Sequence, residues 1–183
     1  MDKARAAVKR DFAAEGEKVA AERAAQPEEA PEAPAVPELP PFDTFWRTAD
    51  DTVDWTDALV KREPNDGLTD PELWHFYHEQ AEKVLNGDLS AYVAVLKRAN
   101  PLGDLLPYAR GFHVRADSAD TLSVTFEALP DYMTGTEEEN RRYLAGISLR
   151  AARDLMALLP VCEAAVTVES YGNVALRVTY TRQ

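Results

Sequence analysis

Apolar positions along this chain follow two different periods. From Phe42 to Arg110 they recur at spacings of three and four, the signature of helices with one buried face. Phe42, Phe45 and Trp46 open the region, and Val53, Trp55, Ala58, Leu59 and Val60 continue it through DDTVDWTDALVKR. Thr69-Asp70-Pro71-Glu72 is a helix start, with capping side chains, a first-turn proline and acids that suit the dipole. Leu73, Phe76, Tyr77, Gln80, Ala81 and Val84 then share one face, and Gly87 is placed to stop the helix. Asp88 caps a second helix that turns Leu89, Tyr92, Val93 and Leu96 inward and ends before Pro101.

After Arg110 the period becomes two. Phe112, Val114 and Ala116 face one way, as do Leu122, Val124, Phe126 and Ala128 on a return strand. A second hairpin repeats this, with Val166 and Val168 facing Val174, Leu176, Val178 and Tyr180 across a Gly172-Asn173 turn. Between the hairpins, Thr134–Pro160 reads as one long helix opened by a capping box, Thr136 with Glu139, and closed by Pro160. It carries two apolar stripes: Leu144, Ile147, Ala151, Leu155 and Leu158, then Ala145, Leu149, Ala152 and Met156. A helix on a sheet with its back in water needs one stripe. Two imply a second partner, either the N-terminal helices or another subunit. Arg142, Tyr143, Arg150, Arg153 and Asp154 are left as a polar arc expected to face water.

Hairpins are marginal alone, so the predicted fold is α+β. N-terminal helices, 42–110, precede a ββαββ unit, 111–183, whose strands form a four-stranded antiparallel sheet on the long central helix. Residues 1–41 have a different composition, ending in the proline- and glutamate-rich QPEEAPEAPAVPELPPF. They are expected to be a disordered tail and linker to a single domain over 42–183.

Composition narrows the function classes. An apolar share of 45% can build a core. The chain has no apolar run of about 18 residues and no leader-like N-terminus, so no membrane association is expected. Its lone cysteine, Cys162, fits a reducing compartment, the cytoplasm, and the alanine- and arginine-rich composition suggests a bacterial source. The net charge is −12, and residues 42–109 hold six Lys/Arg against thirteen Asp/Glu. Such a surface repels phosphate backbones and anionic lipid, so nucleic acid is not an expected partner.

Candidate chemistry is sparse. His75, His78, Glu79 and Glu82 fall on one helical face, and imidazoles and carboxylates at that spacing are potential ligands for a divalent metal. They are the basis of an alternative function, a small metal-dependent hydrolase. The spacing is not the zinc-protease H-E-x-x-H, however, and a solvated helix face accounts for it without a metal. Cys162 could pair with His113 only if the fold joins them, and its neighbours Leu158, Leu159 and Val161 predict a buried, inert thiol. Nucleophile-elbow, phosphate-loop and dinucleotide motifs are missing from the sequence. The outer sheet face holds His113, Arg115, Thr121, Ser123, Thr125 and Glu127, with Ala165, Thr167, Glu169, Arg177, Thr179 and Thr181. The expected function is thus a non-catalytic protein-interaction or assembly module, with no cofactor, acting on a protein partner or in a homo-oligomer.

Overall fold

The chain enters the structure at Pro41 as a strap, not as a helix. The computed structural model describes residues 41–64 and 70–182, which belong to one unit, Leu39–Gln183. The tail expected over 1–41 lies, apart from Pro41, outside the described residues. Described helices are α1 (Trp55–Val60), α2 (Pro71–Leu85), α3 (Leu89–Ala99) and α4 (Glu137–Leu158). The strands are β1 (Ala109–Ala116), β2 (Thr121–Ala128), β3 (Glu163–Ser170) and β4 (Asn173–Thr181).

Residues 42–54 depart from the helix their apolar spacing predicts. A single 3-10 turn, Phe45–Thr48, is followed by extended chain up to the Asp54 cap of α1. Extended backbone needs partners, and α4 supplies them. The Asp50 amide donates to Asp154 Oδ1 at 3.0 Å, the Val53 amide to the Ala157 carbonyl at 2.8 Å, and the Trp55 indole N–H to the Leu158 carbonyl at 2.7 Å. The carbonyls of Ala157 and Leu158 lie in the last turn of a helix and have no partner within it. A tertiary contact therefore outweighs the local period.

The next two helices start where their caps place them. Asp70 accepts from the Glu72 amide at 3.0 Å, and Asp88 accepts from the Ser90 amide at 2.8 Å. Gly87, at φ 74°, turns the chain between them in a conformation that glycine adopts without strain. Their buried faces are rotated from the predicted ones. Trp74, Tyr77, Ala81 and Val84 are buried on α2, and Ala91, Tyr92 and Val95 on α3, whereas Leu89 and Val93 are exposed. The Trp74 indole donates to the Lys61 carbonyl, so a large aromatic with a polar tip takes the position beside α1.

The α+β class holds, but the sheet is mixed rather than purely antiparallel. Its order is β1-β2-β3-β4, with antiparallel outer pairs and a parallel β2–β3 pair at the centre. The reason is the connection. Strand β2 is followed by α4, whose 22 residues span about 33 Å at the helical rise, enough to carry the chain back to the end where β2 began. Strand β3 must then run the same way as β2. The second hairpin turns at Tyr171-Gly172, both at positive φ, one residue earlier than predicted. Gly111, at φ 66°, sits in a bulge between Arg110 and His113 that breaks the edge of β1.

The capping box of α4 forms, with the Thr136 amide donating to Glu139 Oε2 at 2.7 Å and the Glu139 amide to Thr136 Oγ1 at 3.3 Å. Its first stripe is buried in the core with Val124, Phe126, Val166 and Val168. Its second is split. Ala152 and Met156 are buried, Leu149 is half-buried, and Ala145 is exposed. The strap reaches this side at Gly146, where an added Cβ would collide with the Phe42 carbonyl oxygen and lie 3.0 Å from Phe42 Cβ. Most of what the second stripe needs is thus supplied by the chain itself.

Candidate functional site

Strand periodicity sends every fully buried strand residue to the α4 side and leaves the outward ones exposed or half-buried. No described element covers that outer face. Register aligns its side chains in rows. His113, Thr125, Thr167 and Arg177 form one row across all four strands, and Arg115, Ser123, Ala165 and Thr179 form the next. The centre is therefore small and hydroxyl-bearing, with basic side chains at both margins. Such a surface is flat and rigid, and it can accept a broad partner more readily than enclose a small molecule.

Charge is divided between the strands of this face. Arg110 on β1 grips Glu127 on β2 through two hydrogen bonds of 2.9 Å. That contact holds the Glu127 carboxyl below its usual range and raises the Arg110 guanidinium. Asp117, beside Arg115, is likewise held low, first by the Ser123 hydroxyl and then by Arg115 itself. Glu163, Glu169 and Arg177 make no ion pair among the described residues. The arginines of β1 are thus paired within the chain, whereas, among the described residues, the acids of β3 and Arg177 of β4 are not.

The polar arc predicted on α4 is only partly in water. Arg142 and Arg153 are exposed, whereas Tyr143 is buried, Arg150 is 2% exposed and Asp154 is 0% exposed. The Arg150 guanidinium donates from Nε to Thr48 Oγ1 at 3.1 Å and from Nη2 to Asp104 Oδ2 at 2.7 Å, and its Nη1 faces the Asp154 carboxylate. Asp154 also receives the Asp50 amide. One arginine thus ties the strap, the turn at Gly103–Leu105 and α4 together, with its donors engaged in structure. The Tyr143 hydroxyl donates to the Tyr108 carbonyl at 2.6 Å and receives the Leu129 amide at 3.0 Å, which joins β1 and β2 to α4. The sequence shows Arg150 and Asp154 at helical i, i+4 spacing, but nothing local marks the pair as buried.

The candidate metal face is divided. His75 Nε2 lies 3.3 Å from Glu79 Oε1, both side chains being largely exposed, and Glu82 is exposed further along. His78 turns toward α1 instead, with Nδ1 2.7 Å from the Ala58 carbonyl oxygen. Among the described residues no three His, Cys, Asp or Glu side chains are grouped to hold a metal ion.

Cys162 is exposed, contrary to the expected buried thiol. It sits at the turn into β3, with its amide on the Asp120 carbonyl, clear of the Leu158–Val161 cluster that buries the preceding residues. It does not meet His113. Thr167 shares the His113 row, and Cys162 comes five residues earlier, about 16 Å along the strand direction.

The chain matches no family model, and no curated protein or solved structure is significantly similar to it. Among the described residues no helix is long and apolar enough to cross a membrane.

Proposed function

We propose that this protein is a non-catalytic assembly module whose chains pair through the outer faces of their sheets. The observation that carries this reading is the uncovered four-stranded face, built of small side chains around the His113-Thr125-Thr167-Arg177 row. The charge pattern favours a second copy as occupant. The face carries both signs of charge, Arg110, Arg115 and Arg177 with Glu127, Glu163 and Glu169, so a second copy of the same face can set unlike charges against each other. Two sheets with full-size side chains between them pack about 10 Å apart, and small threonine, serine and alanine side chains allow a closer approach.

Light scattering on the eluting protein tests it. The wild type is expected at twice the chain mass, and Thr125→Arg/Thr167→Arg at the single-chain mass with an unchanged circular dichroism spectrum. A wild type that stays monomeric at high micromolar concentration excludes this function.

A further inference from the structure

Away from the sheet, a cleft of about 350 Å3 opens between the strap, the start of α2 and the end of α3. Among the described residues three carboxylates line it, Asp50, Asp51 and Asp70, and no lysine, arginine or histidine does. Acids alone would mean little on so acidic a chain. A second observation comes from Tyr77, which also lines the cleft. Its side chain is only 5% exposed and its ring meets Trp55 edge-on at 5.3 Å. Its hydroxyl has no hydrogen-bond partner among the described residues, yet it is not sealed from solvent. Tyr77 lines the cleft, and its hydroxyl, which no group of the described residues engages, is free to pair with a ligand bound there. The nearby Asp50 carboxylate adds to burial in pushing the phenol up to about 12, so Tyr77 stays protonated and neutral.

The mixed lining of the cleft selects the kind of cation. Among the described residues no three acids are grouped to converge on one metal ion, and Val53, Leu73 and Leu158 give the same cleft apolar wall. Carboxylates and apolar wall in one cleft match cationic groups joined by methylene chains, since an ammonium can meet a carboxylate while the chain packs on the wall. We propose that this cleft binds a short aliphatic diamine or polyamine, held by Asp50, Asp51 and Asp70 and oriented by the Tyr77 hydroxyl.

Calorimetric titration of the full chain with putrescine and with spermidine, at low salt, is the test. Saturable binding below millimolar concentration is expected, weakened at least about tenfold in Asp50→Asn/Asp51→Asn and several-fold in Tyr77→Phe. Glu137→Gln/Glu138→Gln, which removes two exposed acids from the start of α4, is expected to bind like wild type. Thermal melts of each variant separate loss of the site from loss of the fold. The proposal is overturned if spermidine does not bind, if the folded cleft variants bind as wild type does, or if magnesium at equal charge displaces the amine equally well.

Discussion

Arg150 shows how far one residue can be from its local appearance. On a helical wheel it belongs with Arg142 and Arg153, which are in water, but the strap and the Gly103–Leu105 turn close over it. A buried guanidinium is tolerable because Thr48, Asp104 and Asp154 occupy its donors. Removing it leaves Asp154 charged, desolvated and satisfied only by the Asp50 amide. Arg150→Met is therefore expected to lose roughly 3–5 kcal/mol of unfolding free energy. Arg150→Met/Asp154→Leu removes both charges and should lose distinctly less, a non-additivity that urea unfolding of the two variants and Asp154→Leu would measure.

At the scale of elements, the strap is the least legible part of the fold. Phe42, Phe45 and Trp46 are spaced as on a helix, yet Phe42 and Phe45 instead build an aromatic cluster with Tyr108, Tyr132 and Tyr143. Phe42 reaches it because Gly146 lets the strap backbone touch α4. Gly146→Ala has two opposing effects. Alanine favours an isolated helix by about 1 kcal/mol, but its methyl would meet backbone, which cannot swing aside as a side chain can. The clash is expected to win, with a net destabilisation of roughly 1–3 kcal/mol and increased proteolysis within 42–54, readable by mass spectrometry of limited digests. The caps of α2, α3 and α4 were legible because Asp70, Asp88 and Thr136 act on amides two or three residues away. The faces of α2 and α3 were not, since Trp74 and Val95 are buried by neighbours distant in sequence.

For the whole molecule, charge sets the response to pH. Asp117, Glu127 and Glu139 are held below the usual carboxylate range, first by the Ser123 hydroxyl, by Arg110 and by the Thr136 amide respectively. The folded state releases these protons at lower pH than the unfolded state does. Their stabilisation is thus present above the unfolded values, about 4, and lost as pH falls through the folded ones. Asp50 has the opposite sign, because burial raises its carboxyl despite Arg150, and so does the repulsion within a chain of net charge −12. The melting temperature is therefore expected to hold or rise slightly from pH 7 to about pH 5, then fall below about pH 4. A scanning calorimetry series checks this, and a monotonic rise to pH 3 would refute it.

From the sequence alone come the strands and their inward faces apart from Val174, which is exposed opposite Glu169 past a register shift, the starts of α2, α3 and α4, the long helix between two hairpins, the α+β class and the composition of the outer sheet face. These follow from interactions that reach only a few residues along the chain: alternation, capping and turn geometry. Tertiary structure alone decided that β2 and β3 run parallel, that the Phe42–Asp54 strap covers α4, that Arg150 and Asp154 are buried and that Tyr77 lines one cleft with three aspartates. Each depends on partners that the chain brings together from far apart in sequence, as Asp50 and Asp154 are, and no local period records which surface will find which.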